Sequence, residues 1–356
     1  MTTSYIKVFT DMACIMGLIP SEMMKIAQSV AGIKQSDLQL NMEDINLSAL
    51  YLMQHFHDGC HGNCAFCTQA KTNSIDKGKS YLVNRQLTRI PMDMILQNLK
   101  KGFIDKKGIE RICLQTLYHG QTVENAIDTI QSIKSLSDVP ISLCCIPVTR
   151  EKLLRLKDTG LDTITINYEC ATEELFNKIR GKERNGPYHW ETVERSLNEA
   201  VEIFGKFNVG THLQIGLGET HKEALSLIQN CYDRNIFVSL FAFCPIPGTT
   251  LENVLRIQHK DFHKIQLGKY LISNKIIKMT DMHFSSSGDI VGYGIDMDEL
   301  MEIIDKGIAF MNMGCSGCNR VFYETDPGQR HYSYPRNLYP DEIDIIKNEI
   351  INDMIL

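Results

Sequence analysis

The stretch Leu50-Tyr51-Leu52-Met53-Gln54-His55-Phe56, followed within a few residues by Cys60-His61-Gly62-Asn63-Cys64-Ala65-Phe66-Cys67, decides how the chain is read. A short apolar run reads as a buried strand. The loop after it carries three cysteines at C-x3-C-x2-C spacing. Thiolates are the usual ligands of iron–sulfur clusters, and three on one loop can hold three irons of a [4Fe–4S] cube, leaving the fourth open to a small ligand. The alternative is a zinc site with Cys64 and Cys67 as one half of a ribbon. It needs a second nearby pair, and the only one, Cys315-Ser316-Gly317-Cys318, lies some 250 residues away. It also leaves Cys60 unexplained.

Working outward, strand-like runs recur at Arg111–Gln115, Ile141–Ile146, Thr163–Tyr168, Val209–Ile215 and Phe237–Phe243. Helical patterns lie around and between them: Met92–Lys101, Thr122–Ser135, Thr149–Asp158, Glu173–Arg180, Trp190–Phe204 and Lys222–Arg234. In Thr122–Ser135, apolar Val123, Ala126, Ile127, Ile130 and Ile133 repeat at helical spacing. Such alternation predicts βαβ units and a parallel sheet. Six units in one run favour a full or partial (β/α) TIM-type barrel over an open sheet, with active residues at the C-terminal strand ends. The expected division is an N-terminal helical extension over 1–48, the barrel over 49–275, and a C-terminal extension over 276–356 ending in the helix Pro340–Leu356.

Composition narrows the class. The chain has 356 residues, 43% hydrophobic and 22% charged, as in ordinary globular proteins. A net charge of −6 argues against nucleic acid or an anionic membrane as partner. No uninterrupted apolar run is long enough to cross a bilayer, and Asp11 breaks the N-terminal apolar stretch that export requires. A cytoplasmic protein is therefore expected. Its twelve cysteines should be reduced thiols available for metal or catalysis.

With these motifs in hand, the chain resembles the radical S-adenosylmethionine (radical SAM) superfamily. The resemblance implies that Cys60, Cys64 and Cys67 hold a [4Fe–4S] cluster whose open iron chelates S-adenosylmethionine. One electron then cleaves the sulfonium and yields a 5′-deoxyadenosyl radical. Phe66 stands where the superfamily usually has an adenine-contacting aromatic. Several stretches look like biotin synthase and its relatives. Asn167-Tyr168-Glu169 matches a triplet that contacts the ribose, and a carboxylate suits both ribose hydroxyls; an ordinary strand-end carboxylate is the bland alternative. Gly216 and Gly218, in Gln214-Ile215-Gly216-Leu217-Gly218-Glu219, would let the backbone pack on the adenine; G-x-G without a third glycine is weak evidence for a dinucleotide fold. Cys244-Pro245-Ile246-Pro247-Gly248-Thr249 matches a turn with a positional role.

The segment Gly314-Cys315-Ser316-Gly317-Cys318-Asn319-Arg320, followed by Phe322-Tyr323-Glu324 and Tyr332-Ser333-Tyr334-Pro335-Arg336, is similar to the second component of the two-protein lipoyl synthase found in archaea and some bacteria. Gly181-Lys182 through Glu191, Phe204 through Leu213, and Asp281-Met282-His283-Phe284 also match. The implied activity is that of a sulfurtransferase. It inserts sulfur into unactivated C–H bonds of an octanoyl chain carried on a lipoyl carrier protein or domain, with a second radical SAM enzyme and a low-potential electron donor as partners. Cys315 and Cys318 would bind a second, auxiliary [4Fe–4S] cluster, whose sulfide is consumed. Cys113 stands where biotin synthase has a ligand to its sulfur-donating cluster, and Cys144 or Cys145 lies near that enzyme's second. The place of its third reads about Gly210, a departure that argues against biotin synthase itself. All three cysteines could equally be small buried hydrophobes. Cys14, Cys170, Cys231 and Cys244 read as structural. Arg320, Arg330 and Arg336 are candidates for steering an acidic carrier, with a solvated basic face as the alternative. Two other readings stand beside this one: a radical mutase or lyase on the same barrel with a single cluster, and a non-catalytic iron–sulfur or zinc protein.

Overall fold

The computed structural model describes residues 4–23, 48–75, 81–82, 85–320, 324, 329–352 and 354. In chain order the elements are β1 (Tyr5–Phe9), α1 (Thr10–Ile15), β2 (Ala49–Gln54), β3 (Tyr81–Leu82), β4 (Arg85–Pro91), α2 (Met92–Lys100), α3 (Phe103–Lys107) and β5 (Arg111–Gln115). Then come α4 (Thr122–Lys134), β6 (Ile141–Cys145), α5 (Arg150–Asp158), β7 (Thr163–Ile166), α6 (Glu173–Ile179), α7 (Trp190–Phe204), β8 (Val209–Ile215), α8 (His221–Asp233) and β9 (Phe237–Ala242). The remainder is α9 (His259–Ser273), the hairpin β10 (His283–Phe284) and β11 (Ile290–Gly292), α10 (Met297–Asp305) and α11 (Pro340–Ile351). No described helix is long and apolar enough to cross a membrane.

One nine-stranded sheet runs β3-β4-β1-β2-β5-β6-β7-β8-β9. From β2 to β9 every pairing is parallel, and β5 to β9 are linked by crossover helices. The fold is thus a partial TIM-type barrel, as the strand–helix alternation predicted. Strand β2 is buried at all six residues, which is why Ala49–Met53 is apolar without alternation, and β7, buried at all four, alternates only threonine with isoleucine.

The N-terminal segment corrects the helical expectation. Residues 5–9 form a strand spliced between β2 and β4 and antiparallel to both. The cause is local: β-favouring Tyr5, Ile6, Val8 and Phe9 surround Lys7, and Ile6 and Val8 are buried while Tyr5 and Lys7 are half-buried. Only α1 and the turn after it continue toward the expected helix; residues 24–47 lie outside the described residues. Strands β3 and β4 were not foreseen either. They extend the sheet by 81–82 and 85–91, where polar residues mixed among apolar ones hide the pattern.

Register sorts the inward side chains into tiers. Tyr51, Cys113 and Ser142 lie side by side across β2, β5 and β6, and two residues on Met53, Gln115, Cys144 and Thr165 do the same. Cys113 therefore sits in the middle of β5, level with Tyr51 and Ser142. Gly210 continues the second tier, and a Cβ there would lie 2.3 Å from the Phe237 ring on the neighbouring strand. No cysteine fits at this position unless that ring moves. Gly210→Ala should overpack the β8–β9 contact and cost about 1–3 kcal/mol. Chemical denaturation reads this directly, and an unchanged midpoint would mean that Phe237 yields its place freely.

Candidate functional site

The loop after β2 is fixed from several directions before any ligand is considered. His61 N–H donates to the Tyr118 carbonyl (2.7 Å), Ala65 N–H to that of Ile179 (2.8 Å), and Lys71 N–H back to that of Gly62 (2.9 Å). Backbone N–H groups point at the sulfurs: those of Gly62 and Tyr118 at Cys60 Sγ, and that of Gln69 at Cys67 Sγ, each 3.3 Å. Gly62 is closely packed, since a Cβ would sit 3.3 Å from Cys60 Sγ and 3.5 Å from the Tyr188 ring. Cys60, Cys64 and Cys67 line one cavity with Tyr118, Arg180 and Tyr188.

Burial governs the chemistry of these thiols. It pushes Cys64 up to about 11, with the Arg180 guanidinium acting in the opposite sense, and raises Cys67 further. Left alone such thiols stay protonated; a metal centre takes the proton's place and supplies the missing charge compensation. Three soft donors with aimed N–H groups and a buried cation fit a three-thiolate iron–sulfur cluster.

Asn167 and Glu169 follow β7. Glu169 adopts φ +65°, a strained conformation for a side-chain-bearing residue, and is held there by its N–H to the His212 carbonyl (2.9 Å) and its carbonyl to Gln214 N–H (2.9 Å). Gln214 Nε2 donates to its carboxylate at 3.0 Å, and burial raises its pKa while Arg180 opposes. Asn167 is committed within the strands: Nδ2 reaches Cys144 Sγ and His212 Nδ1, each 3.1 Å, and Oδ1 accepts from His212 N–H (3.2 Å). Phe66, Cys67, Asn167 and Glu169 belong both to the cavity around the first three cysteines and to the one inside the sheet. Gly216 and Gly218, with φ +106° and +114°, instead line an outer groove with His221 and Lys264. Their turn is pinned by Glu219, whose carboxylate accepts from Gly216 N–H (2.6 Å) and Leu217 N–H (3.1 Å).

The C-terminal cysteines are docked against the N-terminal ends of the strands. Arg111 Nε donates to the Ser316 carbonyl (2.6 Å) and Nη1 to Ser142 Oγ (2.8 Å). Ser48 Oγ holds the Gly317 carbonyl (2.8 Å), and the Tyr51 hydroxyl meets Cys318 Sγ at 3.3 Å. Gly317 is required here, because φ is +75° and a Cβ would press on Glu110 at 3.0 Å. Cys113, Cys144, Cys315 and Cys318 all line the interior cavity, which reaches Cys67 at its other side. Burial holds Cys113 well above the usual thiol range, with Cys315, Cys318 and Cys144 acting in the same sense, and pushes Cys144 up to about 12. None of the twelve cysteines, all among the described residues, forms a disulfide. Cys244, read as structural, also lines this cavity.

Several cavity residues escaped the sequence reading. Arg180 is 5% exposed and sits 3.9 Å over the Tyr188 ring, with Nη1 on the Asn167 carbonyl (2.6 Å) and Nε without a partner. The stretch Gly181 through Glu191 was singled out, but nothing in it marks Tyr188 individually, and Arg180 stood only as the last residue of an expected helix. Arg320, considered for carrier contact, is buried with Nε and Nη1 unpartnered and its guanidinium 4.0 Å over Phe241. Arg330 pairs with Glu349 (2.5 Å) and Arg336 with Glu342 (2.8 Å), so both are engaged within the chain. Burial lowers His212 to about 3, leaving a neutral ring.

Residues 55–231 match the radical SAM superfamily. Among curated proteins, the uncharacterized protein MJ0785 of Methanocaldococcus jannaschii is 26% identical over 210 residues, covering 56% of this chain and 50% of that protein. Biotin synthase of Ehrlichia canis is 24% identical over 241 residues, covering 65% and 68%. Among solved structures, the FeFe-hydrogenase maturase HydG from Carboxydothermus hydrogenoformans aligns with a TM-score of 0.49 at 18% identity, over 73% of this chain and 58% of that one.

Glu324 also lines the interior cavity, 4% exposed, its carboxylate accepting from Ser333 Oγ (2.8 Å). Burial raises it to about 7 despite Arg320. A carboxyl whose folded pKa exceeds the unfolded value loses stability as pH rises from about 4.5 through 7. Glu324→Gln should thus match wild type near pH 4.5 and become the more stable form by pH 8, by at most about 3 kcal/mol. Denaturation at the two pH values checks this; parallel stability curves would contradict it.

Proposed function

The chain belongs to the radical SAM superfamily through residues 55–231, and from that premise we propose that it is a sulfur-inserting enzyme acting on the octanoyl group of a lipoyl carrier protein or domain. The observation that carries the reading is the meeting of Cys113 with Cys315 and Cys318 in a cavity that also reaches Cys67. When bound, the first cluster and S-adenosylmethionine supply a radical able to take hydrogen from a saturated carbon, and a second cluster supplies sulfide.

The protein's own residues do the rest. Cys60, Cys64 and Cys67 hold the first cluster. Glu169, kept in place by Gln214, offers two acceptor oxygens to the ribose hydroxyls, with Phe66 as a wall beside it. Cys113, Cys315 and Cys318 hold the second cluster. Between them the cavity wall includes Tyr51, Leu82, Phe241, Ala242 and Ile246, a lining suited to an aliphatic chain and to keeping water from a radical. Saturated C–H bonds offer nothing to acid–base chemistry, so the chain's contribution is to place one carbon between two metal sites. A second radical SAM enzyme and a low-potential electron donor complete the scheme.

Anaerobic incubation with octanoylated carrier protein, S-adenosylmethionine and dithionite should yield 5′-deoxyadenosine and a sulfur-bearing acyl chain, followed by mass spectrometry. Cys315→Ala should keep 5′-deoxyadenosine formation and lose sulfur transfer by at least about tenfold, since loss of a group that merely supports a metal ligand already costs that much. 5′-Deoxyadenosine without any sulfur-bearing product in wild type would favour a single-cluster mutase or lyase, and sulfur transfer that survives Cys315→Ala would remove Cys315 from the sulfur donor.

A further inference from the structure

The spliced strand β1 carries one cation to the back of the cysteine loop. Lys7 pairs in register with Met53 of β2, and Met53 lines the cavity that contains Cys60, Cys64 and Cys67. Lys7 Nζ donates to Gln69 Oε1 at 2.7 Å. The Gln69 backbone N–H in turn donates to Cys67 Sγ at 3.3 Å, and Gln69 Nε2 is tied to the Tyr81 carbonyl at 2.8 Å. A flexible lysine is thereby held against the loop by a glutamine that itself touches a cluster ligand.

The charges around it make this placement informative. Its cross-strand neighbour on β4 is Arg89, which stacks on Tyr5. His55, at the end of β2, has Nδ1 buried without a partner. No carboxylate is hydrogen-bonded to Lys7 among the described residues. Burial holds the ammonium below the usual lysine range, and the groups that pull it back up are Cys60 and Cys67. Arg180 stands on the Cys64 side of the same cavity. Two buried or half-buried cations therefore act on these thiols, one from the radical SAM domain and one from the N-terminal strand outside it.

We propose that Lys7 is an electrostatic partner of the cluster held by Cys60, Cys64 and Cys67, raising its reduction potential so that a cellular electron donor can reduce it. The inference rests on the superfamily assignment and not on the identity of the substrate. Cluster potentials follow net charge, hydrogen bonding to sulfur and exposure. A fixed positive charge favours the more negative, reduced state. Lys7 touches no reacting atom in this scheme; it is a tuning residue.

The test uses the full chain in a Cys315→Ala/Cys318→Ala background, so that one cluster titrates. Iron content and an EPR-monitored redox titration compare the parent with Lys7→Gln, which keeps a hydrogen-bonding group but loses the charge, and with Lys7→Arg, which keeps the charge. We expect Lys7→Gln to retain its iron with a midpoint shifted to lower potential, and Lys7→Arg to stay near the parent. Equal midpoints in parent and Lys7→Gln would overturn the proposal. So would loss of iron in both variants, which would make Lys7 a support for β1 alone. A parent without iron would fail the superfamily assignment itself, a result distinguishable from either.

Discussion

Desolvated sulfur is the constraint on which the rest of the site depends. Cys64, Cys67, Cys113 and Cys144 face cavities where burial pushes these four thiols above their ordinary range. Keeping so many polarizable groups inside a sheet gains little from packing, because a valine or leucine would bury more apolar area. The arrangement makes physical sense once a cation replaces the protons. The features around the thiols serve that exchange: backbone N–H groups aimed at Cys60 and Cys67, Arg180 on the Cys64 side, and the Tyr51 hydroxyl at Cys318.

The parallel ladder then decides where sulfur can stand. The loop after β2 leaves the C-terminal end of the strands, where barrels of this type place their chemistry. The Cys315–Cys318 loop is fastened to Ser48 and Arg111, at the opposite end. A single side-chain tier, Tyr51, Cys113 and Ser142, meets it there. One cavity therefore runs between two cysteine sets, and a substrate carbon inside it can face both. The mixed edge of the sheet matters as well, since β1 is what brings Lys7 to the first set.

Much of this was legible in the sequence, for identifiable reasons. The parallel strands are short apolar runs separated by helices with strong 3.6-residue periodicity, so β5 to β9 appear within a residue or two of their expected places. The cysteine spacing is local and survives without any tertiary information. What escaped depended on long-range partners. Strand β1 is five residues long and acquires its identity from β2 and β4. Arg180 is an ordinary helix-end arginine until Cys64 and Tyr188 surround it. Gly210 is a glycine because the Phe237 ring occupies the adjoining space. Arg330 and Arg336 looked available only because Glu349 and Glu342 are distant from any pattern a sequence displays.

The central claim is that two thiol sets at opposite ends of one cavity each hold a cluster. Iron and acid-labile sulfide per chain, measured after anaerobic reconstitution of wild type and of the Cys60→Ala/Cys64→Ala/Cys67→Ala variant, tests it most directly. Two four-iron centres predict about eight irons in wild type and about four in the variant. A variant stripped of all its iron would contradict the claim and leave the C-terminal cysteines a structural role.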